Sequence, residues 1–144
     1  MTIRAPRPDD EAALAALLGE LGYPVEPELA WARIERLARD ARATVLVAED
    51  AAGPLGLASC VLGVVARGYA ADDVAEITML VVTERARRRG VGRALVAAAA
   101  AWARGRGCRR LTVAPGSGRR EARAFYERLG FTPVGAHHAL ALAP

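Results

Sequence analysis

EITMLVVTERARRRGVGRAL, residues 76–95, joins an apolar strand to a helix through a turn rich in arginine and glycine. A helix start leaves several backbone N–H groups without a partner inside the helix. These donors and the positive end of the helix dipole attract anions. Because Gly90 and Gly92 have no Cβ, a phosphate can lie directly against the main chain. The pattern therefore predicts a binding site for a diphosphate.

Two other phosphate-binding turns fit this stretch less well. A P-loop needs a lysine after its second glycine, whereas all 20 basic residues of this chain are arginines. A dinucleotide-binding turn needs a third small residue where Leu95 stands and an acid about 20 residues further on. The next apolar segment, residues 111–113, contains no acid.

The remaining pattern is Arg-x-x-Gly-x-Gly, formed by Arg87, Gly90 and Gly92. It resembles the coenzyme A loop of the GNAT family of N-acetyltransferases. A second motif, ARAFYERLGF at residues 122–131, is similar to the last helix and following strand of that family. The order of predicted strands and helices also matches, so the resemblance covers essentially the whole chain.

The resemblance implies an α/β (α+β) fold with a mixed, mostly antiparallel sheet and a splay between the fourth and fifth strands. A chain of 144 residues is long enough for one domain, so we expect a single acetyltransferase domain over residues 1–144. Apolar periodicity and Gly/Pro breaks predict seven strands and four helices. The strands cover residues 2–6, 44–48, 55–65, 76–82, 109–113, 131–135 and 138–142, and the helices 9–21, 27–42, 91–104 and 121–129.

Two predicted loops and two glycines complete this outline. We expect loops over residues 67–73 and 114–118, with Gly56 and Gly63 as possible β-bulges.

Acetyl-coenzyme A is the cofactor (co-substrate) that the resemblance implies. Strand amides would pair with its pantetheine arm as an added strand does, while turn amides hold the diphosphate and arginines add charge. A solvated basic run is the alternative explanation of the arginines. The residues carried over as cofactor-binding are Leu80, Val81, Val82, Arg87, Arg88, Arg89, Gly90, Val91, Gly92, Arg93 and Ala94.

The resemblance also implies direct attack by an amine on the thioester, with two catalytic side chains. Tyr126 matches the general acid that protonates the leaving thiolate; packing against Phe125 and Phe131 is its alternative role. Glu76 is the candidate base that relays the amine proton through water, or else a solvated acid at a strand end. An N–H near Leu80 or Val81, freed by a bulge, would stabilise the oxyanion.

The chain departs from the family pattern at two positions, and neither its cysteines nor its histidines suggest other chemistry. Some members carry a glutamate where Ala114 stands, and many an asparagine where Arg119 stands. We expect the two cysteines to be packing residues. The adjacent histidines have no metal-binding partners, so no metal site is predicted.

Charge is distributed unevenly along the chain. Residues 1–76 hold 7 arginines and 13 acids (net −6), whereas residues 77–144 hold 13 arginines and 3 acids (net +10). The basic half suits a polyanionic coenzyme, and the acidic half favours a cationic amine. Two solvated faces would explain the charges as well.

Other partner classes are disfavoured. No apolar run reaches the roughly 18 residues of a membrane span, and the N-terminus lacks the apolar core of a secretion signal, so we expect a cytoplasmic protein without a membrane partner. The pI of about 9.8 raises nucleic acid as a partner, but aromatic residues make up only 5% of the chain and no DNA-binding motif appears.

The predicted function is transfer of an acetyl group from acetyl-CoA to a primary amine of a small molecule or peptide. A non-catalytic acetyl-CoA-binding sensor is the alternative, because the family's glutamate at position 114 and asparagine at position 119 are missing. A basic nucleic-acid-binding protein is a third possibility. The acceptor and the acyl length stay open, and a homodimer is possible.

Overall fold

A seven-stranded sheet forms the centre of the molecule in this computed structural model, which describes residues 1–63, 74–114 and 120–143. The strand order is β1-β2-β3-β4-β5-β7-β6. Only β4 and β5 are parallel; every other neighbouring pair is antiparallel. The strands are β1 (Thr2–Arg4), β2 (Ala43–Asp50), β3 (Gly53–Leu62), β4 (Val74–Val82), β5 (Arg110–Val113), β6 (Thr132–Val134) and β7 (His137–Ala141). The mixed, mostly antiparallel sheet that the family resemblance implied is confirmed.

Four α-helices cover the two faces of this sheet in the described residues. Alternation along β2 separates the faces: Val45 and Val47 pack with α1 and α2, whereas Leu46 and Ala48 pack toward α3. Tyr126 of α4 lies in the same cluster as α3. The helices are α1 (Glu11–Leu21), α2 (Pro27–Ala38), α3 (Val91–Gly105) and α4 (Arg120–Arg128).

Small residues bring α3 close to the sheet. Its buried face is rich in alanine, with Ala99 and Ala103 fully covered. On the sheet side, a Cβ at Gly56 would lie 3.0 Å from both a Leu95 methyl group and the Val81 carbonyl oxygen. Glycine is therefore required there for close packing.

The parallel strands β4 and β5 separate partway along their length. They pair from Val74 opposite Arg110 to Ile77 opposite Val113, after which β4 continues to Val82 and pairs with β3. This is the predicted splay. The register between β3 and β4 shifts at the same point, which makes Thr78 the extra residue of a bulge. The family resemblance implied an N–H near Leu80 or Val81 freed by a bulge, and the bulge residue Thr78 lies two residues before Leu80.

Several element boundaries differ from the predictions. Helix α2 ends at Ala38, four residues early, because the Asp40 carboxylate accepts a hydrogen bond from the Arg42 N–H (2.8 Å) and forms a turn into β2. Near Gly56 the β2–β3 register skips Leu55, so the bulge lies one residue before the expected glycine. Gly63 ends β3 with φ +74°. Residues 64–65, predicted as strand, the loop at 67–73 and most of the loop at 114–118 lie outside the described residues.

Candidate active site

A cavity of about 580 Å³ occupies the gap between the splayed strands. Its floor is β4 from Ile77 to Leu80, together with Val113 and Ala114 at the end of β5. Helices α1 and α2 and the segment between them form one wall, and α4 forms the other. Because the two helix layers lie on opposite faces of the sheet, the cavity connects both faces through the splay.

The walls of the cavity are mainly apolar. Leucine, valine, isoleucine, alanine and methionine side chains supply most of the lining. Hydroxyl groups come from Tyr23, Thr78 and Tyr126. Arg33 of α2 is the one charged residue among the described lining residues.

The turn between β4 and α3 has the backbone geometry of an anion site. Gly90 is the N-cap of α3 with φ +79°, and Arg88 also has a positive φ of 67°. The Ala94 N–H donates to the Gly90 carbonyl (3.0 Å) as the first helical bond. By position, the N–H groups of Val91, Gly92 and Arg93 have no carbonyl four residues back in the helix.

The two glycines of the turn have different surroundings. A Cβ at Gly90 would meet no atom within 4 Å, so this side of the turn is open. A Cβ at Gly92 would lie 3.1 Å from Cζ of Phe125. Gly92 therefore permits close packing of α3 against α4, while Gly90 leaves the main chain accessible.

The arginines of the turn divide into two groups. The Arg87 Nε donates to the Val82 carbonyl (3.3 Å), and Arg89 lies 3.4 Å from the Asp50 carboxylate. Arg88 and Arg93 are exposed, and no acceptor in the described part of the chain binds them. These two side chains are thus available to an incoming anion.

Glu20, at the end of α1, holds the beginning of this turn. Its carboxylate accepts hydrogen bonds from the Thr83 hydroxyl (2.8 Å) and the Glu84 N–H (3.0 Å), and lies 3.7 Å from Arg87. This contact of Glu20 does not follow from the sequence. A lone glutamate on an amphipathic helix gives no signal that it contacts a turn more than 60 residues away.

Tyr126 lies in the α4 wall of the cavity and is 5% exposed. Its ring packs edge-on against Phe125 (centroids 5.1 Å apart) and Phe131 (5.3 Å). Loss of water around the hydroxyl raises the pKa of Tyr126 to about 12. The side chain thus combines the packing expected as its alternative role with a place at the cavity.

Glu76 lies in the paired part of β4, one residue before the cavity floor. Its carboxylate is 3.3 Å from Nε2 of His137. His138 is buried and lies 3.8 Å from Glu127 of α4. The two histidines thus contact acids on different elements, as neighbouring residues of a strand on opposite faces should.

The β4 residues predicted to bind the pantetheine arm lie just past the splay. Leu80 lines the cavity, Val81 is buried on the α1–α2 side, and Val82 packs toward α3. Alternate N–H and C=O groups of a strand point to each of its edges. Since β5 has diverged here, the edge of β4 facing the gap has no strand partner in the described residues.

The cysteines offer no nucleophile to the cavity. Both are buried, and burial raises the pKa of Cys60 to about 12, so its thiolate is disfavoured. The described residues contain no group of three His, Cys, Asp or Glu side chains placed to hold a metal ion. Within those residues, no helix has the length and apolar character needed to cross a bilayer.

Solved structures with the same fold include several acetyltransferases. A ribosomal-protein-alanine N-acetyltransferase from Brucella melitensis is 23% identical, with a TM-score of 0.82 over 99% of this chain and 100% of its own. A putative acetyltransferase from Agrobacterium tumefaciens is 28% identical, with a TM-score of 0.80 over 93% of this chain and 94% of its own. An aminoglycoside 6'-N-acetyltransferase complexed with coenzyme A is 18% identical, with a TM-score of 0.77 over 100% of this chain and 98% of its own.

None of the curated protein sequences matches this one. The model of the acetyltransferase (GNAT) family matches residues 11–131, which include both helices of the α1–α2 wall, the β4–α3 turn and α4. The chain therefore belongs to the GNAT acetyltransferase family.

Proposed function

We propose that this chain is an acetyl-CoA-dependent N-acetyltransferase that acts as one domain on a primary amine of a small molecule or peptide. The observation that carries the proposal is the cavity at the β4–β5 splay, which is lined by Leu80 of β4, the strand that leads to the Gly90 turn, and by Tyr126. Membership of the GNAT family and the coenzyme A complex of a protein with this fold support it.

The residues of the turn fit a diphosphate. The start of α3 provides main-chain donors and positive charge together: free N–H groups, the open side of Gly90, and Arg88 and Arg93, which bind no acceptor among the described residues. The unpaired edge of β4 at residues 80–82 suits an extended arm with amide groups. We assign binding of the coenzyme to these groups.

The chemical roles follow from position. The amine would enter from the α1–α2 wall and attack the thioester at the splay, where N–H groups on the free edge of β4 stabilise the oxyanion. Tyr126 donates a hydrogen bond to the departing sulfur. Glu76 is one residue from the cavity floor and remains our candidate base, through a water and with His137 as its neighbour.

A sensor that binds acetyl-CoA without turnover is the second candidate. The observation that favours it is the lining of the cavity, in which the described residues include no acid to accept the amine proton. Release of free thiol in the presence of amines separates the two functions, because only the enzyme consumes acetyl-CoA.

A pair of glycine variants tests the coenzyme site. Gly90 and Gly107 lie near opposite ends of α3, both with left-handed φ (+79° and +82°) and open space where a Cβ would stand. Valine at either position should cost about 1–2 kcal/mol of stability through backbone strain. We expect Gly90→Val to weaken acetyl-CoA binding at least 10-fold in calorimetry and Gly107→Val to leave it unchanged.

The result that would overturn the proposed function is an unmodified chain that gives no heat with acetyl-CoA. Equal losses of acetyl-CoA affinity in the two valine variants would instead show that the turn is not part of the coenzyme site. The cytoplasmic location and the possible homodimer stay predictions.

A further inference from the structure

The α1–α2 side of the cavity determines which amines can enter, if the function proposed above is correct. Leu18 and Leu21 of α1, Val25 of the connecting segment and Leu37 of α2 form an apolar surface, and Met79 of β4 lies at its base. Such a surface binds hydrocarbon and disfavours an unpaired ammonium group.

Arg33 provides the only charge on this surface in the part of the chain that the structure describes. It precedes the buried Ile34 on α2 and is exposed. Its neighbour Glu35 already pairs with Arg39 (3.3 Å). No described carboxylate lies within ion-pair distance of the Arg33 guanidinium, so this group is available to a ligand.

Four of the acids that gave the first half its negative charge bind groups outside the cavity. Asp10 and Glu49 both bind Arg4, Asp50 lies beside Arg89, and Glu20 holds the β4–α3 turn. None of these four lines the cavity. The charge of the sequence suggested a cationic acceptor. The described lining of the cavity, however, contains no acid to bind such a cation.

A positive apolar cavity also favours the reactive form of the amine. Both desolvation and a nearby guanidinium lower the pKa of an amine, which increases the neutral fraction that can attack. A polycation would be repelled by the same charge. A carboxylate, in contrast, can form two parallel hydrogen bonds with a guanidinium.

We infer that the acceptor is an apolar primary amine that carries a carboxylate, such as an amino acid with a hydrocarbon side chain, and that Arg33 binds this carboxylate. Arg33 is thus a specificity-determining residue.

The test compares L-phenylalanine, L-phenylalaninamide and spermidine as ligands of the protein saturated with coenzyme A. Calorimetry measures their binding without requiring turnover, and thiol release from acetyl-CoA measures their rates. We expect the unmodified protein to bind phenylalanine more tightly than its amide. In Arg33→Met the ratio of the two affinities should fall about 10- to 100-fold, because only the acid loses a charge-assisted pair.

Arg36→Met is the matched control, since Arg36 is exposed on the same helix but does not line the cavity. It should leave the ratio unchanged. Comparing this ratio between the unmodified protein and each variant cancels the difference in amine pKa between the two ligands, and it also cancels differences in the stability of the variants.

Two outcomes overturn the inference while leaving the proposed function intact. One is binding of the amide or of spermidine at least as tightly as of phenylalanine. The other is an Arg33→Met variant with an unchanged ratio. Failure of the proposed function gives a different result, since the chain would then either bind no coenzyme A at the start of the experiment or release no thiol with any of the amines.

Discussion

The catalytic role proposed for Tyr126 belongs to a buried side chain. With its pKa raised to about 12 and a reference thiol pKa of about 8.5, complete proton transfer to a thiolate would be uphill by about 5 kcal/mol. The hydroxyl therefore stays protonated at physiological pH. Its proposed role is to donate a hydrogen bond to the sulfur as negative charge develops, while solvent completes the protonation.

Replacing Tyr126 with phenylalanine removes this donor and preserves the ring packing with Phe125 and Phe131. Loss of one donor to a developing anion reduces kcat by about 100-fold in comparable sites. We expect a decrease of about 10- to 100-fold in thiol release at saturating substrate, with the acetyl-CoA affinity within about 3-fold of the original. Steady-state kinetics and calorimetry together measure the two effects.

Tyr23→Phe is the control for Tyr126→Phe, because Tyr23 also lines the cavity but is 66% exposed. It should keep a normal kcat. If Tyr126→Phe keeps kcat within 2-fold, then Tyr126 is a packing residue and water protonates the thiolate.

At the scale of elements, the proposed coenzyme site depends on contacts between α1 and the β4–α3 turn. Glu20 accepts hydrogen bonds from the Thr83 hydroxyl and the Glu84 N–H, and these two residues begin the turn. The turn contains a left-handed Arg88, a conformation that non-glycine residues adopt at a cost of roughly 1–2 kcal/mol. A turn with this strain needs external contacts to keep its shape.

Glu20→Ala should loosen the turn without touching the reacting atoms. We expect the KM for acetyl-CoA to rise about 10-fold with kcat nearly unchanged, because two hydrogen bonds of about 0.5–1.5 kcal/mol each are lost. Glu20→Gln, which keeps acceptor capacity, should lose less. Glu28→Ala on α2 is the control, since Glu28 is exposed and does not contact the turn. A fall in kcat with unchanged KM would contradict a positioning role.

The elements that could be predicted from the sequence are those with local signals. Helix α3 was expected over residues 91–104 and covers Val91–Gly105, because Gly90, the alanine run and the glycines after it act within a few residues. The bulge at Thr78 has no local signal in the sequence, because it depends on the register with the partner strand, where Ser59 and Thr78 share a 2.7 Å hydrogen bond.

The parts of the candidate site that could be predicted are likewise those with local sequence signals. Its turn and Tyr126 lie in two short motifs, whereas the cavity side chains come from helices far apart in sequence. Arg33 and Glu20 looked like solvated positions on amphipathic helices. The packing of α1 and α2 on the sheet brings Arg33 to the cavity and Glu20 to the β4–α3 turn. A hydrophobic pattern predicts a helix but not which distant segment the helix contacts.

Across the molecule, ion pairs join segments that are separate in the sequence. Arg4 of β1 contacts Asp10 (2.8 Å) and Glu49 of β2 (2.8 Å). The Asp10 carboxylate is 5% exposed and also accepts a hydrogen bond from the Arg7 N–H (2.7 Å). This cluster fixes the N-terminal strand and the start of α1 to the edge of the sheet. The other end of α1 carries Glu20, which contacts the β4–α3 turn.

Asp10 should make stability depend on pH in the acid range. The Arg4 hydrogen bonds, and after them the Arg7 N–H, hold the pKa of Asp10 below its usual value. An acid whose pKa is lower in the folded than in the unfolded state stabilises the fold above its unfolded pKa, about 4. That stabilisation is lost as the pH falls from about 4 through the folded pKa. Over that interval the unfolded chain binds more protons at this carboxylate than the folded chain does. The free energy of unfolding therefore decreases as the pH falls.

Asp10→Asn tests this dependence, because the amide cannot ionise but keeps the size of the side chain. We expect it to lower the free energy of unfolding by about 1–3 kcal/mol at pH 7, since hydrogen bonds to a buried charged group are lost. The difference from the unmodified protein should shrink in urea titrations as the pH falls below 4, because Asp10 then becomes neutral in both states of the unmodified chain. Asp9→Asn, an exposed neighbour, should show no such difference. A gap of the same size at pH 3 and pH 7 would mean that Asp10 contributes through shape and not through charge.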